Sequence, residues 1–172
     1  MVETSTALVS RRRLLLWGLG AGVAVSAIGV GTMRATVAAD GLLVLSAEEV
    51  TVLEAVAMVM FPGTHLALSA REANIIPAAD RFVSDLPDAH VAGFRVLLRG
   101  LEWGTLVSRG RRFTRLPAAE QREVFEVWAD PVLLPRRIAA DAIKMIISTA
   151  YFSNPDVLKA IGWRATCGGS VT

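Results

Sequence analysis

Hydrophobic and polar positions divide this 172-residue chain into an apolar N-terminal run and a longer part with helical periodicity. The run from Leu14 to Met33 contains no charged residue. Beyond residue 45, apolar residues recur at helical spacing, and no alternating β-branched run bounded by turns is present. This pattern predicts an all-α fold, namely a small irregular bundle of about five helices after an N-terminal signal or transmembrane helix.

Helix-start and helix-stop residues set the expected boundaries within the bundle. Ser46–Glu49 has the spacing of a capping box, and Pro62-Gly63 ends the helix that follows. Asn154-Pro155 predicts the cap of a last short turn, and Gly162 its end. The other four predicted helices extend from Pro77 to Leu86, Asp88 to Val107, Leu116 to Asp130 and Arg136 to Tyr151.

The periodicity also predicts which side chains face inward. On the helix from Asp88, Trp103 is expected in the core or half-buried, and the predicted apolar stripe consists of Val91, Phe94, Leu97, Leu98, Leu101 and Leu106. Its expected solvent side carries Arg95, Arg99 and Glu102. The helix from Pro77 is expected to face inward with Ala78, Phe82, Val83 and Leu86. For the helix from Arg136, the predicted inward set is Ile138, Ala142, Met145, Ile146 and Thr149. From Ile143 to Ile147 that helix is apolar nearly all round except for Lys144, which predicts a place at the centre of the bundle or under another protein.

The segment around Arg11 has the pattern of an export signal. Ser10, Arg11 and Arg12 precede one further residue and then Leu14 and Leu15. This is the S-R-R-x-[FL]-L pattern that the twin-arginine translocase reads. Because that pathway carries folded proteins, this chain or a partner is expected to fold before export. The alternative is a plain membrane anchor or a general secretory signal that happens to contain adjacent arginines.

The predicted leader comprises residues 1–39 and is either cut or kept as a membrane anchor. Its apolar run of about twenty residues is long enough to span a bilayer as a helix. Val37-Ala38-Ala39 offers the small residues that a signal peptidase reads, which predicts cleavage after Ala39. Because the arginines precede the run, the rest of the chain is expected in the periplasm or on the outer face of the cytoplasmic membrane.

Composition narrows the function once the leader is set aside. The chain has 18 Lys+Arg and 16 Asp+Glu, but four of the arginines belong to the leader, so the exported part is nearly neutral. This argues against a nucleic-acid partner. Cys167 is the only cysteine, and His65 and His90 do not have metal-ligand spacing. With no nucleophile and base at useful spacing either, we expect no catalytic, cofactor-binding or metal-binding residue in this chain.

The segment Arg109–Arg115 is the one basic cluster of the exported part. Its arginines, including Arg111 and Arg112, have the chemistry to clamp a phosphate or an acidic partner surface. The simpler interpretation is a solvated connection between two helices in which Phe113 inserts into the core.

Three stretches carry a family resemblance: Leu45–Gly63, the segment LEWGTLVSRGRRFTRLPAAEQREVFEVWA, and Ser148–Trp163. The last of these, STAYFSNPDVLKAIGW, is the most specific. Together they resemble the gluconate 2-dehydrogenase subunit 3 family, the small subunits of membrane-associated sugar and alcohol dehydrogenases. In that family the small subunit carries the twin-arginine leader. Its partner is a leaderless FAD-containing subunit of the glucose-methanol-choline (GMC) type, often joined by a cytochrome c subunit.

The resemblance implies a non-catalytic small subunit that escorts a GMC-type flavoprotein through the twin-arginine translocase and then stabilises it. FAD is expected in that partner and haem in a cytochrome c subunit, with no cofactor in this chain. The expected order is the leader at residues 1–39, the helical small-subunit domain at 40–165 and a flexible tail at 166–172. The alternative is an independent helical lipid- or ligand-binding domain tethered to the membrane by an uncleaved leader.

The end of the last long helix is the expected partner interface. An aromatic-rich turn with a rigid cap suits docking, because Trp and Tyr are enriched among binding hot spots. The candidate residues are Tyr151, Phe152, Asn154, Pro155, Gly162 and Trp163. In the competing interpretation, Phe152 and Trp163 fold back on the bundle, and the docking face is then sought first at Arg111 and Arg112.

Overall fold

The computed structural model describes residues 37–65, 67–130 and 134–163, with side chains from residue 136 onward in the last range. These ranges contain six α-helices and a 3₁₀ turn, with no strand beyond an isolated bridge between Thr64 and Ala67. The helices are α1 (Ala47–Met60), α2 (Ile76–Ser84), α3 (Asp88–Arg109), α4 (Ala118–Ala129), α5 (Leu134–Phe152) and α6 (Pro155–Ala160), and the 3₁₀ turn is Phe113–Arg115. For this part of the chain, the prediction of an all-α fold is confirmed. The proposed export residues from Ser10 to Leu15, and Cys167, lie outside it.

Helix caps form where the sequence predicts them. The Glu49 N–H donates to Ser46 Oγ, and the Ser46 N–H donates to Glu49 Oε2 at 3.0 Å, which completes the capping box of α1. At α6, Asn154 Oδ1 accepts the N–H of Asp156 at 2.8 Å. Gly162 follows α6 with φ of +72°, the left-handed conformation that suits a helix end.

Helix α5 lies at the centre of the bundle and contacts each of the other helices. Its inward residues are Ala139, Ala140, Ile143, Ile146, Ile147, Ala150 and Tyr151. The inward face predicted from the sequence is therefore wrong except for Ile146. Because α5 has large apolar residues on two of its sides, periodicity does not choose between its faces. The chosen face combines large isoleucines with small alanines, which lets neighbouring helices approach closely.

Two other helices keep part of their predicted inward face and lose part of it. In α2, Phe82 is exposed and the inward positions are Ile76, Ala79, Asp80 and Val83. In α3, the predicted inward residues Phe94, Leu98 and Leu101 are buried together with Thr105, whereas Leu106 and Trp103 are exposed. The solvent side predicted at Arg95 and Arg99 is wrong as well, because both arginines pack over the buried carboxylate of Glu49.

Candidate functional site

In the part of the chain that the structure describes, an exposed and mainly apolar stripe runs along α5 on the side away from its core face. It consists of Ile138, Ala142, Met145, Thr149 and Phe152, and we call it the outer stripe. Ile138, Met145 and Phe152 expose 59%, 63% and 46% of their surface. The members recur every three or four residues, so they share one side of the helix over about 21 Å. Large exposed apolar patches on a soluble domain mark interaction surfaces.

Aromatic contacts fix the C-terminal end of the outer stripe. The ring of Phe152 meets Phe61 edge-on with centroids 5.8 Å apart, and Tyr151 edge-on at 5.2 Å. Phe61 and Tyr151 in turn stack with centroids 3.9 Å apart and nearly parallel planes. Phe152 is therefore an exposed aromatic residue with a defined orientation, which lowers the entropy that a partner must remove on binding.

Tyr151 is an internal residue that attaches α5 to the loop after α1. Its side chain is buried, and its hydroxyl donates to the carbonyl of Leu68. Burial raises the pKa of Tyr151, and the nearby charge of Glu72 raises it further. Hydrogen bonds from the Ser69 hydroxyl and backbone N–H to Glu72 lower the pKa of that carboxyl and hold the loop in shape.

The other residues of the predicted interface divide between the interior and the surface. Asn154 is internal, since its Nδ2 donates to the carbonyl of Ala73 at 2.7 Å while its oxygen caps α6. Pro155, Gly162 and Trp163 are exposed, and Trp163 presents 56% of its surface. The Trp163 N–H donates to the carbonyl of Leu158 at 2.9 Å, which fixes its backbone to α6. The structure thus leaves Phe152, Pro155, Gly162 and Trp163 available to a partner.

The basic cluster is a structured connection between α3 and α4. Phe113 is fully buried, as the simpler interpretation of this segment predicts. Arg109 pairs with Glu123 at 2.9 Å and with Glu120 at 3.9 Å. The Arg112 guanidinium lies 3.9 Å above the Trp103 ring, a cation–π contact. Arg111, Arg112 and Arg115 are all exposed.

An open groove lies beside the Arg112–Trp103 pair. Its volume is about 370 Å³. Its lining mixes acidic and basic side chains and consists of Glu48, Thr51, Val52, Glu102, Trp103, Arg112, Thr114 and Arg115. Glu102 is already engaged, because its two oxygens accept from the N–H and the hydroxyl of Thr114 at 3.0 and 2.8 Å. The groove therefore carries no strong charge of either sign.

Two buried carboxylates organise the start of the described fold. Glu49 lies 3.6 Å from Arg95 Nε and 3.5 Å from Arg99 Nη2. Asp80 is only 1% exposed and accepts the successive backbone N–H groups of residues 43, 44 and 45. Our sequence interpretation missed Asp80. Its spacing four residues after Ile76 and three before Val83 is the signal that would have placed it on the inner face.

The described ranges offer little chemistry besides these contacts. His65 and His90 are both exposed. Within those ranges, no three His, Cys, Asp or Glu residues are grouped as metal ligands would be. None of the described helices combines the length and apolar composition that crossing a membrane requires.

Comparisons with protein-family models, with curated proteins and with solved structures gave no match to this chain. The function of the outer stripe and of the C-terminal turn, residues 152–163, is therefore inferred from their own residues and contacts.

Proposed function

We propose that this chain is a non-catalytic small subunit that escorts a leaderless, FAD-dependent GMC-type dehydrogenase through the twin-arginine pathway and stabilises it afterwards. FAD belongs to the partner in this proposal, and a cytochrome c subunit with haem is a further member of the complex. The finished complex is placed in the periplasm or on the outer face of the cytoplasmic membrane.

The observation that carries the proposal is the outer stripe. A central helix that uses one apolar face in the core and leaves a second one exposed over about 21 Å suits a subunit rather than an independent domain. Exposed Phe152 at the end of that helix and exposed Trp163 after α6 add residue types that anchor interfaces. The arginine pair Arg11 and Arg12 supports the export part of the proposal, and the resemblance of Ser148–Trp163 supports the class of partner.

The partner for the experiment is the product of a neighbouring reading frame that encodes a GMC-type flavoprotein without a signal of its own. We expect the two chains, co-expressed, to be exported together and to co-purify with FAD bound. Arg11→Lys combined with Arg12→Lys should retain both chains in the cytoplasm, because the arginine pair is the recognition element. A flavoprotein that still reaches the outer compartment with this variant would contradict the escort role.

The docking surface is tested by a matched pair of variants. Met145→Gln places a polar group in the centre of the outer stripe and should remove most of the co-purifying flavoprotein. Val107→Gln makes the same type of change at an α3 position that is 96% exposed and off the stripe, and should leave co-purification unchanged. Equal effects of the two variants would exclude the outer stripe as the docking surface.

The alternative of an independent, membrane-tethered ligand-binding domain makes the opposite prediction for the chain alone. Expressed without residues 1–36 and without a partner, an obligate subunit should aggregate or bind a hydrophobic dye, because its apolar stripe stays uncovered. A monomer that unfolds cooperatively and binds no dye would favour the independent domain.

A further inference from the structure

The bond at the predicted cleavage point lies inside a closed turn. The Ala39 N–H donates to the carbonyl of Leu45 at 2.8 Å, and the Ala39 carbonyl accepts the N–H of Leu42 at 2.9 Å. Gly41, with φ of +78°, allows the chain to reverse between them. The Ala39–Asp40 peptide is therefore part of a reverse turn whose two sides are hydrogen-bonded to each other.

Asp80 fastens this turn to the bundle. Its carboxylate accepts the N–H of Leu43 at 2.6 Å, of Val44 at 3.1 Å and of Leu45 at 2.8 Å. Arg95 Nη2 donates to the Val44 carbonyl at 2.6 Å. Leu45 is fully buried. Three successive amides directed at one buried carboxylate form a rigid anion nest. We call this arrangement, residues 39–45 held by Asp80 and Arg95, the Asp80 clasp.

A signal peptidase needs the residues on both sides of its scissile bond as an extended strand, because proteases bind peptide backbone by strand pairing. A folded substrate is cut only in the fraction of molecules in which the segment has opened. Cargo of the twin-arginine pathway folds before it crosses the membrane, so the clasp is already closed when the peptidase is reached. The apolar run of the leader ends at Met33, and only Arg34-Ala35-Thr36 separate it from Val37. The Cα atoms of Met33 and Val37 are therefore at most about 14 Å apart along an extended chain.

We propose that the Asp80 clasp closes the Val37-Ala38-Ala39 processing site, so that the exported chain keeps its leader and stays attached to the membrane by it. The inference rests on the proposed twin-arginine leader and goes beyond it by deciding between a cut and a retained leader. It also assigns Asp80 a role in membrane attachment of the complex.

The test uses the full chain, exported in a bacterium with a twin-arginine translocase, followed by membrane fractionation and determination of the N-terminus. The wild-type chain should be found in the membrane fraction with its leader intact. Insertion of Gly-Ser-Gly-Ser-Gly between Ala39 and Asp40 moves the site into a flexible segment and leaves the Asp80 contacts in place. This variant should be cut after Ala39 and released from the membrane.

Two further variants separate the clasp from other causes. The insertion combined with Ala39→Lys should stay uncut, because lysine at the cleavage position is not accepted by the peptidase. Asp80→Asn keeps the shape of the side chain and removes the negative charge that the amides of residues 43 to 45 share. In the chain without the insertion, this variant should raise the fraction cut after Ala39 roughly tenfold.

The outcomes are distinct. A wild-type chain that is exported and cut after Ala39 overturns the proposal. An insertion variant that is exported and remains uncut also overturns it, since the clasp is then not what protects the site. A wild-type chain that never leaves the cytoplasm refutes the twin-arginine leader itself, and its location distinguishes this result from a failure of the clasp.

Discussion

Replacing Asp80 should be among the most destabilising substitutions in this domain. Asp80→Ala leaves three backbone N–H groups, those of residues 43 to 45, without their acceptor. Asp80 itself is 1% exposed, so water does not reach its side of the contact without local opening. A buried donor without a partner costs about 1–3 kcal/mol. Some of the three amides will reach water after relaxation, so we expect a loss of about 3–5 kcal/mol.

This magnitude matters because a domain of this size has only about 5–15 kcal/mol of stability in total. The measurement is urea unfolding of the full chain in mild detergent, followed by tryptophan fluorescence and circular dichroism. Asp80→Asn retains one acceptor and should lose about half as much as Asp80→Ala. Asp85→Asn, at the exposed end of the same helix, should change the unfolding free energy by less than about 0.5 kcal/mol.

If Asp80→Ala lowers the free energy of unfolding by less than about 1 kcal/mol, the prediction is wrong, since the three amides would then lose no buried acceptor. An equal loss of unfolding free energy in Asp85→Asn would also contradict the prediction, because the loss would then follow from removing any negative charge near α2 and not from the clasp. An unchanged dependence on urea concentration is expected for both variants, since neither alters the area exposed on unfolding.

Three further predictions concern the loop after α1 and the C-terminal turn. Gly63→Ala should destabilise the domain by about 1–3 kcal/mol or more, because Gly63 has φ of +87° and an added Cβ would lie 2.9 Å from Ser69 Cβ. Thermal unfolding measures this loss, and an unchanged Tm would contradict it. Because the pKa of Tyr151 is raised in the fold, the unfolded phenol ionises first, so stability should fall as the pH rises above about 10. Tyr151→Phe should remove that alkaline slope, and since Tyr151 is the chain's one tyrosine, phenolate absorbance reports it directly. Trp163→Ala should cost roughly 2 kcal/mol or more of partner binding and leave the circular dichroism of the subunit unchanged; loss of helix would instead make Trp163 a residue of the core.

Local signals in the sequence determined the helices and their ends. A capping box, a proline at a helix start, an Asn-Pro cap and a glycine stop act through hydrogen bonds and dihedral angles within a few residues. Such features need no knowledge of the rest of the chain. The burial of Phe113 was also predicted from its local sequence, because a large aromatic side chain among arginines is more stable in the core than in water.

Only the tertiary structure decided which face of α5 is buried. Helix α5 has two apolar faces, and its periodicity fits both Ile143 with Ile147 and Ile138 with Met145. The choice depended on the shapes of helices that are distant in sequence. Arg95 and Arg99 were assigned to solvent because charges usually face water, whereas packing brings both to Glu49, which is about fifty positions earlier in the chain.

The Asp80 clasp is the clearest example of this division. The sequence indicated an amphipathic helix at residues 77–86 and a cleavage site at Val37-Ala38-Ala39, each from local pattern. The Asp80 carboxylate binds the backbone that follows Ala39 only when both segments are folded. Hydrogen bonds between segments 35 to 37 residues apart depend on how the helices pack in three dimensions, which the periodicity of the sequence does not specify.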